Sequence, residues 1–143
     1  MARLSLVIGA AVLMLGFAAK PAFAAGPPPD CGTRAFSVYF EEFKSDLTPE
    51  GRSALDLTQR SFKGCVINHV RIVGLAGAKG TADRNQALSE HRAQTIADRL
   101  VTGGWPRDRL EMVAEGDKDA KVGDLDKPIR RRVRVEVQSR PAS

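Results

Sequence analysis

Asn85 and Arg92 stand seven residues apart in the longest helix-patterned stretch of the chain, Asn85-Gln86-Ala87-Leu88-Ser89-Glu90-His91-Arg92-Ala93. Seven residues make about two helical turns, so the amide and the guanidinium point to the same side. An Arg fork and an amide on one rigid face form a preformed site for a carboxylate-bearing ligand, because the fork matches a carboxylate better than a Lys point charge does. The competing reading is a solvated helix face.

Other groupings carry less chemistry. His69 and His91 have no ligand spacing with Cys31 or Cys65, so no metal is expected. No Ser/His/Asp or Cys/His set has plausible geometry. Glu41 and Glu42 are adjacent, so on a strand they face opposite ways, and an enzyme is not expected. The loop Gly74 to Gly80, GLAGAKG, has neither GxGxxG nor a Lys-Ser/Thr pair. It reads as a tight turn whose glycines permit positive φ, with no nucleotide to bind. Arg130-Arg131-Arg132 and Arg134 interleave with valines in a strand pattern, which does not make a nucleic-acid surface. No cofactor is implied.

The 143 residues suffice for one domain. Residues 1–24 have a basic start, an apolar run from Leu4 to Ala19 and the box Ala22-Phe23-Ala24, the pattern of a secretory signal peptide cleaved after Ala24. An uncleaved N-terminal anchor is the alternative. No Cys follows the cleavage box directly and Cys31 lies too far downstream, so no lipid anchor is expected. Removing Arg3 and Lys20 leaves 20 basic against 17 acidic residues, a mature charge of +3. A mild positive balance on an exported protein fits wall or surface polyanions. In an oxidising compartment Cys31 and Cys65 are expected to form one disulfide.

These side chains need a scaffold, and the pattern supplies one. Residues 25–34 form a stiff leader around Pro27-Pro28-Pro29. Ala35 to Phe40 reads as a strand, with Phe36, Val38 and Phe40 on one face. Thr48-Pro49-Glu50 starts a helix running to about Phe62, ended by Lys63-Gly64. Val66 to Gly74 is a second strand, in which Val66, Asn68, Val70 and Ile72 alternate with Ile67, His69, Arg71 and Val73. Thr81 to Thr102 is a second helix with Leu88, Ala93, Ile96, Ala97 and Leu100 as its buried stripe, stopped by Gly103-Gly104. Arg109 to Ala114 is a third strand, Glu115 to Pro128 a long loop and Arg131 to Val137 a fourth strand. The order β-α-β-α-β-loop-β predicts an α/β (α+β) two-layer sandwich, two main helices on one face of a four-stranded mixed sheet. The folded domain is placed at 35–139, with a frayed tail at 140–143.

With the elements in place, the chain resembles the OmpA-like C-terminal domain family. Val38-Tyr39-Phe40-Glu41 and Lys44-Ser45-Asp46-Leu47-Thr48-Pro49-Glu50 look like its opening strand and helix start. Gly74, Gly80 and Asn85-x-x-Leu88-Ser89-x-x-Arg92-Ala93 look like its central motif. Gly104-Trp105-Pro106, Arg109-Leu110, Gly116 and Arg131-Arg132-Val133 follow in the family's order. The resemblance implies a periplasmic domain that binds peptidoglycan non-covalently, through the diaminopimelate of the stem peptide. It assigns the ligand's carboxylate to Arg92 and a place in the pocket to Asn85. The family's loop after the glycine here numbered 74 ends in an Asp that partners the ligand's ammonium. This chain has Leu75-Ala76-Gly77, which implies weak or altered binding. Glu41, Glu42 or Asp83 are candidates for the missing charge. The alternative is a degenerate member that keeps the fold, gives up the ligand and joins other envelope proteins, with Arg92 ion-paired internally to Glu90, Asp83 or a sheet carboxylate.

Overall fold

The computed structural model describes residues 30–122, 125–127 and 130–142. The signal peptide and residues 25–29 of the leader lie outside the described residues. Strand β1 spans Thr33–Tyr39, helix α1 Pro49–Ser61, β2 Cys65–Gly74, α2 Ala82–Thr102, β3 Leu110–Ala114, β4 Lys121–Val122, β5 Leu125–Asp126 and β6 Arg132–Pro141. A 3-10 turn, Arg107–Arg109, leads into β3.

The main sheet has the order β1-β6-β2-β3. Strand β6 runs antiparallel to both β1 and β2, while β2 and β3 are parallel and joined by α2. The two-layer, four-stranded mixed sheet expected from the pattern is therefore present. The segment after β3 is not wholly irregular: β4 and β5 pair as a short antiparallel ribbon.

Thr48 caps α1 as its type predicts, its hydroxyl accepting from the Gly51 N–H at 3.1 Å. Thr81 caps α2 in the same way, accepting from Arg84 N–H. Between helices and sheet lies one core: Val38, Phe40, Leu55, Phe62, Val70, Ile72, Ile96, Leu100, Trp105, Val133, Val135 and Val137. Trp105 covers the end of α2, its ring edge-on to Phe62 at 5.4 Å.

Five expectations change. Strand β2 has a register shift between Ile67 and His69. The bulge at Asn68 moves Ile67 onto the core face beside Val70 and Ile72, and leaves Val66 exposed. Strand β6 continues past Val137 to Pro141, because β2 offers partners as far back as Cys65. Arg140 and Pro141 are thus paired, and β1 takes Thr33 and Arg34 from the leader. Leu88 is only half-buried, and the N-terminal half of α2 instead buries Asn85, Ser89 and Arg92. In the Gly74–Gly80 loop only Gly80 has a positive φ, at 104°. Gly74 is needed for another reason: a Cβ there would lie 2.0 Å from the Ser89 carbonyl oxygen of α2.

Cys31 and Cys65 form a disulfide with a Cα–Cα distance of 5.8 Å, as expected. It ties the segment before β1 to the start of β2. Among the described residues no helix is long and apolar enough to cross a membrane.

Candidate ligand pocket

The loop after β1, the loop after β2, the buried half of α2 and the residues around β5 and the start of β6 enclose a cavity of about 130 Å³. Asn85 and Arg92 both line it, as their two-turn spacing predicts. Around them stand Glu42, Phe43, Gly77, Lys79, Leu88, Asp126, Lys127 and Arg131.

Arg92 is fully buried. Its Nε–H donates to the Lys44 carbonyl at 2.7 Å, Nη1 to the Leu75 carbonyl at 2.9 Å and Nη2 to the Glu41 carbonyl at 2.9 Å. The guanidinium lies 5.2 Å from the Phe40 ring centroid, within cation–π range. A guanidinium carries five N–H groups. Two, one on each terminal nitrogen, therefore have no bond among the described residues. The internal ion pair with Glu90, Asp83 or a sheet carboxylate is not formed; backbone carbonyls take its place. Among the described residues the charge is consequently buried without a counter-ion. Desolvation first, and the nearby Arg131 charge second, hold its pKa down at about 10. It remains a cation at neutral pH.

Asn85 is buried and donates from Nδ2 to Asp117 Oδ2 at 2.9 Å. Its amide thus ties α2 to the segment after β3 while its body faces the cavity. Ser89, one turn on, has the same tying role: its hydroxyl donates to the Gln86 carbonyl and accepts from the Gly116 N–H at 3.0 Å. The sequence motif contains Ser89, but nothing in its type marks it as buried.

The Leu75-Ala76-Gly77 loop divides in two. Leu75 and Ala76 are buried, and their backbone N–H groups donate to Arg132 and Gly116 carbonyls. Only Gly77 opens on the cavity, and a Cβ there would meet the Arg131 side chain at 3.5 Å. The group facing residue 77 is therefore the methylene stem of a cationic side chain. Of the three carboxylates considered for the missing charge, Glu42 alone lines the cavity. It is already 3.0 Å from Lys79 Nζ and 3.9 Å from Arg131 Nη1. Asp126 adds a second carboxylate, which the sequence did not single out. Lys79, Arg131 and Phe43 were also missed as site residues. Phe43 holds φ at 58°, a left-handed conformation unusual for a bulky residue, on the rim of the cavity.

Comparison with known proteins agrees with this fold. The model of the OmpA family matches residues 39–134. Outer membrane protein A of Shigella flexneri is 32% identical over 120 residues, 80% of this chain and 34% of that protein. The peptidoglycan-associated lipoprotein of Pseudomonas putida is 37% identical over 82 residues, 57% of this chain and 49% of that protein. This chain thus spans between a third and a half of these two relatives, and neither carries the name of an enzyme. Among solved structures, the OmpA-like domain of FopA1 from Francisella tularensis subsp. tularensis SCHU S4 shares the fold with a TM-score of 0.64 at 24% identity, covering 78% of this chain and 77% of that one. The helices, the mixed sheet and the matched motif converge: the chain belongs to the OmpA family.

Proposed function

We propose that the protein is exported to the periplasm and associates non-covalently with peptidoglycan, Arg92 receiving a carboxylate of the stem-peptide diaminopimelate. The observation that carries this reading is the buried Arg92 charge. Burying an ion without a counter-charge is unfavourable, and a ligand carboxylate entering the cavity would relieve that cost through the two uncommitted N–H groups. Asn85 shapes the wall beside it. A relative's name, peptidoglycan-associated lipoprotein, points the same way. Gly77 leaves the site without the acidic partner for a ligand ammonium that the resemblance leads one to expect, so affinity for the usual zwitterion is weakened or altered.

The test is retention of the mature protein on purified sacculi. Because Arg92 also holds three backbone carbonyls, the informative comparison uses Arg92→Lys with its folding checked by circular dichroism. Retention of wild type with loss in the folded variant supports the reading; no retention of wild type sinks it.

One observation favours a second reading. Asn85 and Arg92 are both engaged inside the fold, by Asp117 and by three carbonyls. A structural module that joins other envelope proteins without binding the wall would use them only in that way. It predicts that sacculi leave the melting temperature of the protein unchanged.

A further inference from the structure

We propose that this pocket selects a carboxylate whose neighbouring nitrogen is acylated over one whose nitrogen is a free ammonium, and that Arg131 sets this selectivity. The inference rests on the reading that Arg92 receives the ligand's carboxylate.

The space in front of residue 77 decides it. Gly77 contributes no side chain, and the methylenes of Arg131, Cγ and Cδ, lie 3.5 and 3.9 Å from where its Cβ would be. Arg131 thus fills the region that a side chain at residue 77 would enter. Its guanidinium is directed to Glu42, with Nη1 3.9 Å from Oε1. The same Oε1 is 3.0 Å from Lys79 Nζ. One carboxylate shared by two cations is poorly placed to take a third. The other carboxylate of the lining, Asp126, belongs to an exposed residue, where water and salt screen it. Among the described lining residues, Lys79, Arg92, Lys127 and Arg131 stand against these two anions.

The hydrogen-bond inventory sharpens the electrostatics. Arg131 and Lys79 are donors without acceptors. An ammonium is also a donor without an acceptor, so it would meet both repulsion and a donor–donor mismatch. Acylation removes the charge and supplies a carbonyl, which is an acceptor. Discrimination by repulsion of the wrong ligand is a common route to specificity. In a wall polymer, amide cross-links made through that amine produce the acylated chemistry.

Two soluble probes test this: a diaminopimelate-containing tripeptide with its side-chain amine free, and the same peptide acetylated at that amine. Calorimetric titration of wild type is expected to show binding of the acetylated peptide about tenfold tighter or more. Gly77→Asp, whose Cβ would meet the Arg131 methylenes at ordinary van der Waals distances and whose backbone needs no positive φ, is expected to reverse the order. Arg131→Gln is expected to narrow it, and carries the test if Gly77→Asp does not fold. Equal affinities, or preference for the free amine in wild type, overturn the selectivity. Retention on sacculi with no binding of either peptide also overturns it and leaves the wall reading standing. Failure on both sacculi and peptides overturns the wall reading as well.

Discussion

At the scale of single residues the site turns on one cation with two duties. Arg92 pins the loops on either side of it, through the Glu41, Lys44 and Leu75 carbonyls, and also lines the cavity. A lysine keeps the charge but not the planar fork, and leaves at least one of these carbonyls unpaired. Arg92→Lys is therefore expected to lower unfolding free energy by about 2–4 kcal/mol, read by urea denaturation. The pH dependence follows from the direction of its shift. A base whose folded value is lowered to about 10 keeps its charge at lower pH. Its unfavourable burial is fully present below that value and is relieved as pH rises from there towards the ordinary Arg value. No histidine lines the cavity among the described residues. Retention on sacculi is thus expected to be flat between about pH 6 and 8 and to fall as pH approaches 10, measured by pull-down across the series.

At the scale of elements, the pocket depends on how closely α2 lies on β2. Gly74 ends β2 beneath Ser89, and the helix backbone occupies the place of any side chain there. Ser89 then holds Gly116, and Asn85 holds Asp117, so the segment after β3 is anchored to the same face of α2. Gly74→Ala would force backbone against backbone, which a flexible side chain cannot absorb. A loss of roughly 3 kcal/mol or more is expected, or no soluble protein, and chemical denaturation reads it directly. Gly77→Ala, where the nearest atom is a side-chain methylene at an ordinary distance, should cost far less. The contrast between these two glycines isolates the cost of close backbone packing.

At the scale of the whole molecule, the disulfide and the pocket involve different parts of the sandwich. Cys31–Cys65 ties the entry of β1 to the entry of β2, whereas the cavity lies past the far ends of those strands. The bridge spans 34 positions of sequence. Its reduction is expected to lower stability by about 3–4 kcal/mol on the chain-entropy view, seen as a lower urea midpoint in dithiothreitol. Because the cavity is built from other contacts, sacculus binding by the reduced but folded protein should persist.

Local chemistry determined much of this protein. Thr48-Pro49-Glu50 and Thr81 marked helix starts, the valines at 133, 135 and 137 marked a buried strand, and the two-turn spacing of Asn85 and Arg92 put both on one cavity. Each of these follows from a period or a cap within one element. The opposite failures were all non-local. Ser89 is buried because β2 ends in a glycine beneath it, and Ile67 turns inward because of a bulge against β6. Arg131 lies 54 positions after Gly77 in the numbering and still fills the space before it. The sequence by itself determined which main helices and strands form and that an arginine and an asparagine share a helix face. Only the tertiary structure decided that Arg92 has carbonyls in place of an ion-pair partner, and that a cation stands opposite Gly77. The physical reason is that the charge around a buried group is the sum over every segment folded against it, and no period within one segment carries that sum.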